Sequence, residues 1–107
     1  MDNSNSNSNK VIVSRHPACI EFILTYLGKE DVPVLSSVTE EDVKDKIVYG
    51  NIPMNLASKA NLVFALEFTN PPRGQEYDLQ QMFDAGAKLV PYKVIPLMEE
   101  HQLTTLL

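Results

Sequence analysis

The sequence predicts an α/β domain with a mainly parallel sheet. Short apolar runs typical of strands alternate along the chain with amphipathic stretches typical of helices, and the connections between them are short. One run, Leu62–Phe68, is almost entirely apolar, as expected for a central strand that is covered on both faces. The chain has 107 residues, of which 44% are apolar, so it suits a single domain with its own core.

The first half of the chain is expected to supply three strands. Residues 1–9 form an Asn/Ser-rich, low-complexity segment that we expect to be disordered, and the domain spans residues 10–107. Pro17 suits the first position of a helix, where an N–H would have no partner anyway, and Gly28 suits the end of that helix. The predicted elements, in order, are a strand at Lys10–Ser14, a helix at Ala18–Leu27, an edge strand at Val32–Ser36, a capped helical turn at Thr39–Asp42 and a strand at Lys46–Tyr49.

The second half continues the alternation of helices and strands. Asp78–Gln81 has the pattern of a capping box, which predicts the start of a helix, and Gly86 suits its end. The predicted elements, in order, are a short helix at Met54–Ala60, the central strand at Leu62–Phe68, a loop at Asn70–Gln75, the capped helix, a strand at Lys88–Ile95, and an amphipathic tail at Leu97–Leu107 that is a helix or an interface segment. Together these elements predict a small Rossmann-like three-layer domain.

The loops that follow the strands are expected to meet at one edge of the sheet. Right-handed crossovers place the loops after parallel strands along the same edge, where ligands of such sheets bind. These loops are Ser14–Pro17, Gly50–Asn55 and Thr69–Glu76. They bring together polar side chains that are far apart in sequence, including both arginines of the chain: Ser14, Arg15, His16, Asn51, Asn55, Arg73 and Glu76.

The turn Ser14–Pro17 has the residue types of an anion site. Free N–H groups and the positive dipole end of the following helix favour an anion such as phosphate. Arg15 offers a planar fork for phosphate oxygens, and His16 can move a proton near neutral pH. This chemistry suits the binding of a phosphodiester and its cleavage. Simpler interpretations stay open, namely a strand end with solvated polar residues, helix caps at Asn51 and Asn55, and solvated loop residues at Arg73 and Glu76.

Composition excludes several classes of function. The net charge of −5 argues against non-specific binding of long nucleic acid, which needs a broad basic surface. No apolar stretch is long enough for a membrane span, and the N-terminus lacks the apolar centre of a signal peptide. The single cysteine, Cys19, excludes an internal disulfide, suits a reducing cytoplasm and is expected to be buried. His16 and His101 lack metal-ligand spacing, so neither a metal nor another cofactor is expected.

Four segments of the chain occur in an order that resembles a known family: Val13–Ala18 (VSRHPA), Tyr49–Ala57 (YGNIPMNLA), Arg73–Glu76 (RGQE) and Gly86–Leu89 (GAKL). Over about residues 11–95 the chain is similar to the Csx-sixteen family of type III CRISPR-associated accessory proteins. The resemblance implies a cytoplasmic, metal-independent ring nuclease. Such enzymes degrade cyclic oligoadenylate, usually cyclic tetra-adenylate, and so switch off type III CRISPR signalling.

The resemblance also implies how the polar residues of these loops, here called the rim, would act in a homodimer that binds cyclic oligoadenylate. The ribose 2′-hydroxyl would attack the adjacent phosphate, which leaves linear products with 2′,3′-cyclic phosphate ends. Arg15 and His16 would be the catalytic residues, at the phosphate oxygens and in proton transfer or hydrogen bonding. The substrate-binding residues would be Ser14, Asn51, Asn55, Arg73 and Glu76. Two alternatives stay open, a non-catalytic sensor or sponge for the same ligand and a structural accessory subunit without a nucleotide site.

Overall fold

The computed structural model describes residues 9–28, 30–71 and 77–97, which contain five strands and four helices. In chain order these are β1 (Lys10–Val13), α1 (Pro17–Tyr26), β2 (Val34–Leu35), α2 (Glu40–Val43), β3 (Ile47–Tyr49), α3 (Met54–Ala57), β4 (Leu62–Glu67), α4 (Leu79–Asp84) and β5 (Lys88–Tyr92). The predicted alternation of strands and helices is confirmed. The Asn/Ser-rich segment before Asn9, the loop residues 72–76 and the tail beyond Leu97 lie outside the described residues.

The strands form one sheet in the order β2-β1-β3-β4-β5. β1 pairs in parallel with both β2 and β3, β3 pairs in parallel with β4, and β5 runs antiparallel to β4. The prediction of a mainly parallel sheet is therefore confirmed, and β2 lies at an edge, as Pro33 indicated. The chain leaves β1 for β2 and then returns past β1 to β3. Ligands of open α/β sheets bind at the carboxyl ends of two strands between which the strand order reverses in this way.

β5 is antiparallel to β4 because α4, which connects the two strands, lies at the carboxyl end of β4. The N–H of Asn70 donates to the Ala85 carbonyl at 3.0 Å, which ties the loop after β4 to the end of α4. The chain then turns at Gly86 and enters the sheet with Lys88 opposite Glu67, the last residue of β4. A parallel β5 would need a crossover connection that returns the chain to the amino ends of the strands. Tyr77, which precedes the N-cap of α4, lies at the same edge as the end of β1, where its ring contacts His16.

Side chains are buried on both faces of the sheet. Val11 and Val13 of β1 pack on one face, against α2 and α3. Ile12 points to the other face and packs against Ile23 of α1, and these two side chains are only 0% and 1% exposed. Burial of side chains of this size stabilises the fold by about 1.5–3 kcal/mol each. β1 is therefore held from both sides, and its carboxyl end is a fixed platform for the turn that follows.

The observed helices differ from the predicted ones only at their ends. α1 begins at Pro17 and ends at Tyr26, and Cys19 within it is buried, as predicted. α3 stops at Ala57, before the predicted end at Ala60. There the Lys59 N–H donates to the Leu56 carbonyl at 3.0 Å, a tighter pattern than that of an α-helix.

No helix in the described part of the chain combines the length and the apolar character that a membrane span requires.

Capping boxes fix the starts of α2 and α4, as the sequence predicts. At α4 the Gln81 N–H donates to the Asp78 carboxylate, and the Asp78 N–H donates to the Gln81 side chain, both at 2.8 Å. At α2 the Thr39 N–H donates to the Asp42 carboxylate at 2.8 Å, so aspartate takes the place of the usual Glu or Gln. The box at α4 also fixes the position of Tyr77, which immediately precedes it.

Gly50 allows the end of β3 to approach the end of β1. Its φ is +136°, and a Cβ at this position would lie 2.2 Å from the Val13 carbonyl oxygen. Its N–H donates to the Phe64 carbonyl of β4 at 3.0 Å. Only glycine fits this combination of dihedral angle and contact. The loops after β1 and β3 therefore start in direct contact with each other.

Candidate functional site

The candidate site is a cavity of about 230 Å³ at the carboxyl ends of β1, β3 and β4. Its walls come from the strand ends and their loops, from α1 and from the residue before the N-cap of α4. They include Ser14, Cys19, Gly50, Asn51, Phe68 and Tyr77. This is the edge of the sheet at which the sequence predicts a rim of polar residues. Two of the predicted site residues, Ser14 and Asn51, line the cavity directly.

Ser14 fixes the turn between β1 and α1. Its N–H donates to the Leu35 carbonyl of β2 at 3.0 Å, and its Oγ accepts a hydrogen bond from the His16 N–H at 3.1 Å. A serine hydroxyl that accepts from the N–H two residues further on stabilises a tight turn. The hydroxyl still carries one O–H that can donate to a ligand in the cavity.

His16 is the N-cap of α1. Its Nδ1 accepts a hydrogen bond from the Ala18 N–H at 3.3 Å, and its ring stacks on the Tyr77 ring with centroids 4.2 Å apart and planes inclined by 20°. This arrangement reduces the number of free N–H groups expected at the start of the helix, because Pro17 has none and that of Ala18 is occupied. The turn therefore offers an anion the side chain of Arg15 and the Nε2 side of His16, and it does not offer the Ala18 amide.

Tyr77 is a site residue that the sequence reasoning missed. Its hydroxyl oxygen lies 3.7 Å from the Cys19 Sγ, and burial together with this hydrogen bond raises the pKa of Tyr77 to about 12. The phenol is therefore protonated across the physiological range. An apolar residue just before the capping box at Asp78 is a recognised signal for packing against Met82 in the helix. That signal gives no hint of the contact with His16, which joins two distant segments.

Asn51 continues the pairing of β3 with β4 beyond the end of β3. Its Oδ1 accepts from the Leu66 N–H at 2.7 Å, and its Nδ2 donates to the Leu66 carbonyl at 3.2 Å. The amide thus replaces a strand residue, and one further N–H and one lone pair remain for a ligand. The interpretation of Asn51 as a helix cap is wrong, because Pro53 is the N-cap of α3.

Arg15 lies beside the cavity rather than in its wall. Its side chain is exposed, and Nε donates to the Ser36 carbonyl just after β2 at 3.3 Å. This contact holds the guanidinium next to the turn, on the side of the edge strand. From there it can contact a ligand that is too large for the cavity itself.

The remaining predicted residues are not brought to the cavity in the described structure. Asn55 lies within α3 on an exposed surface and is not among the lining residues, and its position inside the helix also excludes a capping role. Arg73 and Glu76 lie outside the described residues, so their part in the site stays a prediction.

A larger cavity, of about 590 Å³, lies along α1 and the chain before β2. Its lining includes Glu21, Glu30 and Asp31, whose carboxylates repel an anionic ligand. Glu30 forms an ion pair with Lys10, in which Oε1 and Nζ are 2.9 Å apart. Within residues 9–28, 30–71 and 77–97, these and other Asp, Glu, His and Cys side chains form no group of three that could hold a metal ion. For a phosphate ligand the smaller cavity at the strand ends is therefore the better candidate.

Comparison with known protein families gives a match over most of the chain. A family model described as "Putative CRISPR-associated protein (Cas_VVA1548)" matches residues 11–95. This range contains the turn at Ser14, the loop at Gly50 and Asn51, and Tyr77. No curated protein and no solved structure matches the chain.

Proposed function

Because the chain belongs to the Cas_VVA1548 family of CRISPR-associated proteins, we propose that it is a metal-independent ring nuclease. Its substrate would be cyclic oligoadenylate, most often cyclic tetra-adenylate, and cleavage in the cytoplasm would switch off type III CRISPR signalling. The observation that carries this proposal is the position of the Ser14–His16 turn against the cavity at the ends of β1 and β3. The fold that goes with it is a small Rossmann-like three-layer domain, which the burial of side chains on both faces of the sheet supports.

The ribose of the substrate can supply the nucleophile. In-line attack of the 2′-oxygen on the adjacent phosphorus forms a 2′,3′-cyclic phosphate, and the 5′-oxygen leaves and takes up a proton. Such a reaction needs alignment and stabilisation of the charge on the non-bridging phosphate oxygens. Arg15 would supply positive charge to those oxygens, His16 would contact the same phosphate, and Ser14 would orient the phosphate or ribose. The residues that would hold the rest of the ring are Asn51, Asn55, Arg73 and Glu76.

The volume of the cavity limits the part of the ring that can enter it. Pockets that enclose a drug-sized ligand measure about 300–1,000 Å³, whereas this cavity measures about 230 Å³. A cyclic tetranucleotide would therefore lie across the rim with a single group in the cavity. The position of Arg15 outside the cavity suits a ligand that extends in this way.

We propose further that two copies of the chain bind one ring, since a twofold dimer matches the rotational symmetry of a cyclic tetranucleotide. An apolar groove of about 270 Å³, lined by Ile52, Met54, Tyr92 and Val94 among others, adjoins the candidate site because Asn51 lines both cavities. Met54 is 78% exposed. Exposed apolar surface of this kind marks interfaces, so a second copy bound there would bring its own rim close to the first.

A protein that binds the ring and leaves it intact is the second candidate. The observation that favours it is the hydrogen bond from Ala18 to the Nδ1 of His16, which occupies one of the two nitrogens that could take part in proton transfer. The two candidates predict the same ligand and the same binding residues, and they differ only in the fate of the ligand.

A cleavage assay separates these candidates. The full chain is incubated with cyclic tri-, tetra- and hexa-adenylate in the presence of EDTA, and the products are analysed by chromatography and mass spectrometry. We expect one ring size, the tetramer, to be converted to linear products with 2′,3′-cyclic phosphate ends. An intact ring that nevertheless raises the melting temperature of the protein would show a sensor or sponge. Activity that EDTA abolishes and a divalent ion restores would contradict a metal-independent reaction.

A further inference from the structure

The hydrogen bond at the start of α1 defines which nitrogen of His16 carries a proton. The Ala18 N–H belongs to the first turn of the helix, where backbone donors have no intrahelical acceptor. It donates to the Nδ1 of His16 at 3.3 Å. A ring nitrogen that accepts a hydrogen bond carries no proton, and in a neutral imidazole the proton is then on the other nitrogen. His16 in this arrangement is therefore a neutral ring with an N–H at Nε2.

Tyr77 holds the same ring from its face. The two rings stack almost parallel, with centroids 4.2 Å apart. Tyr77 is itself held at three points: its hydroxyl lies 3.7 Å from the Cys19 Sγ, Phe68 meets its ring edge-on at 6.0 Å between centroids, and the capping box at Asp78 fixes the next residue. Rotation of the imidazole out of its plane would lose the stacking contact, and a flip of the ring within that plane would lose the bond to Ala18.

We infer that His16 serves the site as a neutral hydrogen-bond donor through Nε2–H, and that Tyr77 is the positioning residue that orients it. The group that would receive this hydrogen bond is a phosphate oxygen of the ligand, and this half of the inference rests on the proposed function. The protonation of the ring and its orientation by Tyr77 do not depend on the identity of the ligand.

The sequence leaves two roles open for His16, proton transfer and hydrogen bonding. This assignment favours hydrogen bonding. Nε2 already carries a proton, so it cannot accept one from the 2′-hydroxyl. An imidazolium that could donate a proton to the 5′-oxygen needs a proton on Nδ1, where it would displace the Ala18 hydrogen bond. A fixed neutral donor, in contrast, can stabilise the charge that develops on a non-bridging oxygen without any rearrangement.

Nuclear magnetic resonance of the free protein tests the protonation directly. Two-bond proton–nitrogen spectra of the uniformly ¹⁵N-labelled chain, recorded at mildly alkaline pH, distinguish a protonated ring nitrogen from an unprotonated one by chemical shift. The His16→Gln variant assigns the His16 signals against those of His101. We expect a protonated Nε2 and an unprotonated Nδ1 in the wild type and in Tyr77→Phe. A proton on Nδ1, or a signal averaged over both tautomers in the wild type, would overturn the inference.

Single-turnover cleavage of cyclic tetra-adenylate tests the role. His16→Gln keeps an N–H donor at a similar distance from the main chain but cannot act as an acid or base, and we expect it to lose no more than about 10-fold in rate, whereas His16→Ala loses about 10²–10³-fold. Equal losses in His16→Gln and His16→Ala would assign proton transfer to His16 and refute the donor role.

The stacking contact needs its own variants. Tyr77→Phe keeps the ring and should retain most of the kcat, while Tyr77→Leu should lower kcat with little change in KM. Tyr26→Leu, which removes a half-exposed tyrosine at the other end of α1, serves as the matched control. A Tyr77→Leu rate equal to that of the control would refute the positioning role. If the wild type itself does not cleave the ring, the proposed function fails, while the spectra still decide the protonation of His16.

Discussion

At the scale of single residues, the turn between β1 and α1 combines structural and chemical tasks in the same side chains. Ser14 closes the turn with its Oγ, and His16 caps the helix with its Nδ1. The sequence could predict that these residue types lie together, because they are consecutive in a strand-to-helix connection. It could not predict the role of Tyr77, since the stacking contact depends on the start of α4 lying next to the start of α1.

Ser14→Ala tests the structural task of this residue. The substitution removes the acceptor of the His16 N–H, and one net hydrogen bond contributes about 0.5–1.5 kcal/mol to the free energy of unfolding. We expect a loss of this size in urea denaturation, together with slower cleavage because the turn loses its fixed geometry. Ser37→Ala, at an exposed position after β2, is the control. Stability and activity equal to those of the control would show that the Ser14 hydroxyl has neither task.

Tyr77 makes stability depend on alkaline pH. Burial, followed by the Cys19 contact, raises the pKa of Tyr77 from 10.0 to about 12. Between these values the unfolded chain has lost the phenolic proton and the folded chain has kept it, so the free energy of unfolding falls as the pH rises through this range. Urea denaturation at several alkaline pH values should show a steeper fall for the wild type than for Tyr77→Phe. Equal slopes would contradict the raised pKa.

At the scale of elements, the sequence predicted every strand and helix of the described structure, and their ends shifted by small amounts. Local signals were sufficient for this, namely apolar runs, the capping boxes at Thr39 and Asp78, and the glycines at helix ends. The antiparallel direction of β5 was not predictable, because its own residues do not indicate that α4 lies at the carboxyl end of β4. The alternative of a helix cap at Asn51 was wrong for a similar reason, since its partner Leu66 lies on another strand.

Gly50→Ala tests the contact between the ends of β1 and β3. The added Cβ would lie 2.2 Å from the Val13 carbonyl oxygen, and alanine rarely adopts φ +136°. A non-glycine residue in such a conformation costs about 1–3 kcal/mol, and the clash adds to this value, so we expect a large decrease in the urea midpoint. Gly28→Ala is the matched control, because it shares a positive φ of +74° but has no atom within 4 Å of its Cβ position. A Gly50→Ala loss no greater than that of Gly28→Ala would contradict the close approach.

At the scale of the whole molecule, the sheet places one cavity and one apolar groove on either side of Asn51. A net charge of −5 makes binding of a polyanion dependent on a local concentration of positive side chains. One rim of the described residues contributes Arg15, and a second copy would double that charge. The proposed dimer therefore has a physical reason in addition to the symmetry of the ring.

Light scattering over a concentration series tests the dimer. We expect a dimer for the wild type and a monomer for Met54→Lys, because a buried and unpaired ammonium at the apolar groove opposes association. Tyr26→Lys changes an exposed side chain that does not line the groove and should leave the dimer intact. A wild-type monomer that binds one ring per chain would contradict the shared site.

The central claim is that the Ser14–His16 turn is the place where a cyclic oligoadenylate is bound and cleaved. The most direct measurement is single-turnover cleavage of cyclic tetra-adenylate by the wild type and by Arg15→Ala, with calorimetric binding measured in parallel. Lys59→Ala is the control, because Lys59 is exposed and its carbonyl accepts from the Asp45 N–H, which precedes β3 and lies away from the turn after β1. Loss of one preorganised charge contact in such a site lowers the rate by about 10²–10³-fold, so we predict a decrease of this size in Arg15→Ala and none in Lys59→Ala. Arg15→Ala cleavage at the wild-type rate would place the reaction elsewhere on the molecule.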